Sequence, residues 1–374
     1  MEQTSEKKQG PERLRSLDAL RGFDMFWIMG AEEIFILLGT LTGYPILEWW
    51  ASQLSHVQWD GFHAYDMIFP LFLFIAGVSF PFSVANKMSV EGGKKSLYIH
   101  IFKRGFLLVL FGIIYNNGFS FDFANFRYAS VLGRIGLAWM FAALIFINTK
   151  NWKARLIWLG AILIFYWLLF VIFKAPDLGD PDHFSMKGNI ANYIDRLLLP
   201  GRYCCFEFGD NEGILPTIAA TGTGLLGMLT GEFLRSNNKP MKKVLFLVFC
   251  GAILMLIGWL WNFVFPINKK LWSSSFVCWV GGLSILMLAL FYLIIDVWHY
   301  RKWAFFFVVI GMNPITIYLA NRIINFSNAS DFFFKGLADI LPEAWAPLIY
   351  AIGIVAVGYV FLLILYKKKI FLKV

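Results

Sequence analysis

Residues 56–82 read HVQWDGFHAYDMIFPLFLFIAGVSFPF. The second part, from Met67, is an uncharged apolar run. The first part packs His56, Asp60, His63 and Asp66 into eleven positions, in a chain with only five histidines. An apolar run that approaches the roughly 20 residues needed to cross hydrocarbon reads as a membrane helix. A cluster of proton-holding groups at its entrance reads as a site.

The rest of the chain follows the same pattern. Of 374 residues, 59% are hydrophobic, 18% aromatic and 15% charged, whereas soluble domains carry about 25% charged residues. The fold class is therefore all-α and polytopic, with about ten transmembrane helices. They fall near residues 17–41, 62–86, 96–115, 128–148, 154–173, 213–235, 241–262, 272–296, 303–324 and 345–366. Residues 1–374 read as a single transmembrane domain, with 1–15 as a cytoplasmic tail and 174–212 as a long extracytoplasmic loop. The polar first fifteen residues run straight into the first span, so no cleaved leader is expected.

The net charge is +9, but in a membrane protein its distribution decides what it means. Lys94, Lys95, Lys150, Lys153, Lys242, Lys243 and Lys367 to Lys369 fall in alternate connections that read as inner. The outer segments are poorer in Lys and Arg, so both termini should be cytoplasmic. The partners are then lipid and a small molecule, not nucleic acid. Cys204, Cys205, Cys250 and Cys278 show no metal-ligand spacing and read as packing or incidental residues, so no metal is expected.

Several intramembrane polar residues need a purpose. Asp18 and Arg21 are spaced to pair on one helix face. Glu32 and Glu33 follow in the same span, where a charge costs about 2.5–3.5 kcal/mol and normally faces a cavity or a partner. Arg104 and Arg134 suit an anionic ligand or a neighbouring acid. Pro70, Pro81 and Asn313-Pro314 interrupt spans and free carbonyls. Gly227 and Gly231 in GILPTIAATGTGLLGMLTGEFL have the spacing of close helix packing. His56 with Asp66 ten residues on is the pair to which a general base can be assigned, because a carboxylate fixes an imidazole tautomer and raises its basicity.

The segments RLRSLDALRGFD, HVQWDG with Asp66, DMIFPLFLFIAGVSF, VLGRIGLAW, YIDRLLL, EGILPTI, INKKLWSSSFV and IGMNPITIYLA together resemble the membrane region of the heparan-α-glucosaminide N-acetyltransferase family and its bacterial amino-sugar-associated members. The resemblance implies acetyl transfer from cytoplasmic acetyl-CoA to a glucosamine amine on the far side, in a bacterial cytoplasmic membrane. It places the catalytic histidine on His56, with Asp66 as its partner and Trp59 in the same motif. The family's first-span asparagine falls on Glu32, and the Asn after Trp is Asp60 here, two acidic departures. Glu32, Glu33, Trp59, Asp60 and Asn268 are then expected on the sugar, and Arg104 and Arg134 on CoA. His56 either takes the amine proton or carries the acetyl group itself. A homodimer through a glycine-rich face is a further expectation. The competing reading is an amino-sugar transporter using the same acids, and a membrane scaffold would leave those acids unexplained.

Overall fold

A computed structural model describes residues 14–88, 93–118, 120 and 122–372. Residues 1–13 of the expected cytoplasmic tail lie outside it. Among the described residues no named strand occurs, and the chain is a bundle of helices. In order they are α1 (Arg15–Phe26), α2 (Glu32–Thr42), α3 (Pro45–Gln53), α4 (Ile68–Met88), α5 (Gly93–Asn117), α6 (Val131–Asn148), α7 (Trp152–Ile172) and α8 (Ile190–Leu198). They continue as α9 (Pro216–Leu234), α10 (Pro240–Trp261), α11 (Ser274–Phe291), α12 (Ala304–Gly311), α13 (Pro314–Ile323), α14 (Phe326–Ala338) and α15 (Ala346–Lys367).

Eight helices among the described residues are long and apolar enough to span a membrane, or nine if the bent pair α12/α13 counts as one. The expected tenth span is α9. It forms as a 19-residue helix but is not among those apolar enough to pass. Its Thr, Gly and Ala side chains are nearly all buried, because α4, α6, α7 and α11 enclose it. A helix covered by protein need not be lipophilic. The lipid-facing work falls to α5, α7 and α10, which expose Phe106, Ile157, Phe165, Leu245 and Phe249.

The glycine spacing in α9 is used inside the chain. A Cβ at Gly227 would lie 2.2 Å from the Phe74 carbonyl oxygen, and one at Gly231 would lie 2.3 Å from that of Val78. The face expected to serve a homodimer is therefore occupied by α4.

Two breaks shape the bundle. The first span turns through a π-helical segment, Trp27–Ala31, where Gly30 has φ +109°, a conformation open to glycine. Between α12 and α13 the axis bends by 69°, and the buried Asn313 holds the C-terminal strap by donating to the Ile370 carbonyl at 3.0 Å. Pro314 begins the second half of that span as its first residue, where its missing N–H costs nothing. Pro70 sits in the first turn of α4, while the helix continues through Pro81. The amphipathic α14, expected as loop, packs along α15.

The connections 43–63, 122–130, 173–215 and 262–273 meet at one end, joined by Trp59 on Phe184, Arg127 on Asp210, Arg202 on Phe126 and Asn268 on Asp60. The long connection is a folded cap rather than a free loop. It contains α8, and it is fastened by Arg196 on Asp177 (2.7 Å) and by Arg127 on Asp210 (2.6 Å) and on Glu212.

Candidate active site

His56 leaves α3 on a loop whose turn uses Gly61 at φ +116°. That turn is tied to the α10–α11 connection: the Gly61 N–H donates to the Ile267 carbonyl at 2.9 Å, and Asn268 Nδ2 donates to Asp60 Oδ1 at 3.0 Å. Lys270 donates to the Gln58 carbonyl as well. The sequence between His56 and Asp66 then closes on itself through a short 3-10 turn, Ala64–Met67, in which Asp66 Oδ2 accepts the His63 N–H at 3.1 Å.

The turn leaves Asp66 Oδ1 2.7 Å from His56 Nδ1. Asp66 is buried, with 1% of its side chain exposed, whereas 52% of His56 is open. The shielded carboxylate therefore orients an accessible imidazole. With Nδ1 carrying the proton toward Asp66, the Nε2 lone pair is available, as a general base or a nucleophile requires. The Tyr65 ring lies 4.9 Å from the imidazole, and Lys269 Nζ sits 3.3 Å from Asp66 Oδ1.

This group forms one wall of a cavity of about 490 Å³. Met25, Ile28, Phe72 and Ile135 line its depth, and Trp59, Cys205, Asn211, Glu212 and Lys270 line its connection-side part. The cavity lies where two apolar clusters meet, one centred on α4, α6, α9 and α11, the other holding Met25, Val309, Ile317 and Leu362. Such a shape suits a ligand with a long apolar or amphipathic arm and a polar end.

Arg134 is the expected cofactor-side cation that reaches this space. It is 3% exposed, donates to the Gly213 carbonyl at 3.3 Å, stacks 5.3 Å from the Trp272 ring, and has an unpartnered Nε. Arg104 does not line the cavity. It belongs to the peripheral α5, and its guanidinium lies 4.3 Å over Trp139.

The expected sugar-side residues divide. Trp59 lines the cavity with its indole N–H fixed on the Phe184 carbonyl at 2.8 Å, which makes it a rigid apolar wall. Asp60 and Asn268 do not line it, because they are spent on each other, and Asn268 is fully buried. Glu32 stands beside Tyr65, with its Oε2 buried and unpartnered, and Glu33 is exposed. The turn at Gly30 precedes both, and on a helix consecutive side chains point in different directions. The carboxylates on the cavity wall are Asp66 and Glu212.

Sequence reading missed Lys269, Lys270, Glu212 and Tyr65 as cavity residues. Three of them lay in segments already marked, INKKLWSSSFV and EGILPTI. Cys204 and Cys205, read as incidental, form a disulfide with each other, and Cys205, at φ +79°, lines the cavity.

No family model matches the chain. Two curated proteins do. Human heparan-alpha-glucosaminide N-acetyltransferase is 29% identical over 423 aligned positions, which cover 97% of this chain and 60% of that protein. The mouse protein of the same name is 27% identical over 431 positions, covering 100% of this chain and 62% of the relative. The chain thus spans about 60% of the length of these relatives. The chain is thus similar, along nearly its whole length, to the corresponding part of two heparan-alpha-glucosaminide N-acetyltransferases.

Proposed function

We propose that this chain is a transmembrane N-acetyltransferase that moves an acetyl group from acetyl-CoA to the amine of a glucosamine or a terminal glucosaminide. The observation that carries the reading is the His56–Asp66 pair, 2.7 Å apart on the wall of a deep cavity. The likeness to two N-acetyltransferases along the whole chain supports it.

Acetyl-CoA supplies an acetyl group activated as a thioester. Transfer forms an N–C bond, breaks the C–S bond and removes a proton from the amine. His56 Nε2 takes that proton directly or accepts the acetyl group first. Both routes need an imidazole held from behind with its second nitrogen open, which is what Asp66 provides. The cavity residue that fits a donor's polar groups is Arg134, with its unpartnered buried Nε. The apolar depth fits an extended arm.

The bias of basic residues toward alternate connections assigns both termini to the cytoplasm. The connections around His56 then lie on the extracytoplasmic side. In this arrangement the sugar enters from outside while the donor is drawn from the cytoplasm.

The test uses purified protein in detergent with acetyl-labelled acetyl-CoA, with and without glucosamine. Label on the sugar is expected with the native chain, and a loss of at least about 100-fold with His56→Ala. Asp66→Asn, which keeps the shape but removes the charge, should fall nearly as far. Normal transfer by His56→Ala would overturn the assignment of the site.

A further inference from the structure

Lys269 stands apart from the other cavity cations because it touches both members of the pair. Its Nζ is 3.3 Å from Asp66 Oδ1, 3.2 Å from His56 Nδ1 and 3.5 Å from His56 Nε2. A position in the ring plane at near-equal distances from both nitrogens would collide with the carbon between them. The ammonium therefore lies against the face of the imidazole, not in line with the Nε2 lone pair. Its neighbours fix it there: Asn268 is bound to Asp60, and Lys270 to the Gln58 carbonyl. The α10–α11 connection is stitched to the His56 loop on both sides of Lys269.

We propose that Lys269 is a positioning residue for the acetyl transfer argued above. Its ammonium, shared between Asp66 and the His56 ring face, holds the imidazole against the carboxylate with Nε2 open to the cavity. The inference rests on the reading of His56 as the reacting group.

Asp66 and Lys269 bring opposite charges to the His56 ring, and Lys270, Arg134 and Glu212 line the same cavity. His63 turns its Nδ1 to the Ser55 carbonyl at 3.0 Å, and Tyr65 contacts the ring. The Asp66 carboxylate orients His56 through its contact to Nδ1. Lys269 lets the orienting carboxylate stay while its charge is balanced. Burial lowers the Lys269 ammonium below its ordinary range, and the adjacent Asp66 works against that lowering.

Removing the Lys269 charge makes His56 easier to protonate. The base then becomes available only at higher pH, so the acid limb of the rate profile moves upward. The experiment measures kcat/KM against pH for acetyl transfer to glucosamine by the full chain, comparing the native protein with Lys269→Met, Lys269→Gln and Lys269→Arg. Both neutral variants should shift the acid limb up by at least about one pH unit. At pH 6 they should lose roughly ten times more activity than at the upper plateau. Lys269→Arg should keep the native limb. Equal loss at every pH in both neutral variants, or an unmoved limb, would overturn the role. An active His56→Ala would instead remove the site reading on which it rests.

Discussion

The Asn268 side chain donates to Asp60 Oδ1 at 3.0 Å across 208 residues of sequence, and its own Oδ1 accepts the Leu271 N–H at 2.9 Å. One fully buried amide thereby pins the loop before the second span to the connection that carries Lys269.

Asn268→Ala should release both. It strands the Leu271 N–H in a buried site, a cost of about 1–3 kcal/mol, and lets the His56 loop move relative to Lys269. Lower thermal stability in detergent is expected, with acetyl transfer reduced about tenfold or more, since small misplacements of reacting groups are costly. Native stability together with native turnover would show that the tie has no consequence.

The close contact between α4 and α9 makes a second prediction. Gly227→Val adds atoms where a Cβ alone would come within 2.2 Å of the Phe74 carbonyl. Backbone cannot move aside as a flexible side chain can, and overpacking typically costs about 1–3 kcal/mol or more. Gly160, in the peripheral α7, has open space around its Cβ position. Gly160→Ala should be neutral or stabilising by up to about 1 kcal/mol. Unfolding temperatures in one detergent should separate the two clearly; equal values would mean that α4 and α9 do not pack this closely.

Part of this was legible in the sequence, for physical reasons. His56 and Asp66 were readable because the turn that joins them lies within one short stretch. The α12/α13 break was readable because proline marks it. The turn at Gly30 was not, since a lone glycine among apolar residues usually signals nothing. Lys269 could be seen only as an outer basic residue, because its partners lie more than two hundred positions away. Glu32 and Asp60 were expected on the sugar from their place in the resemblance and their charge; in the fold Asp60 accepts from Asn268 and Glu32 stands beside Tyr65.

The cysteines offer a direct check on the cap. Cys204 and Cys205 are joined to each other, while Cys250 and Cys278 are free. Alkylation of the unfolded chain without reductant should modify Cys250 and Cys278 alone, and all four residues only after reduction. Mass spectrometry of the 204–205 peptide reads the result. Alkylated Cys204 or Cys205 in the unreduced sample would contradict the pairing.

The last prediction concerns Asp195, buried in α8 within the cap. Its oxygens accept the Ile214 N–H at 2.8 Å and the Asp210 N–H at 3.3 Å, yet burial outweighs these bonds and pushes its carboxyl up to about 6. A carboxyl raised in the folded state favours folding while protonated. That contribution is complete below the ordinary aspartate value near 3.9 and is lost as pH rises through about 6. Unfolding temperature should therefore contain a component that falls between about pH 4 and 6. Asp195→Asn cannot ionise and keeps one acceptor for Ile214, so it should lose that component while starting from a lower stability at about pH 4. Melting curves of both proteins in one detergent across this window decide the matter, because an identical slope in the variant would assign the pH dependence to other groups.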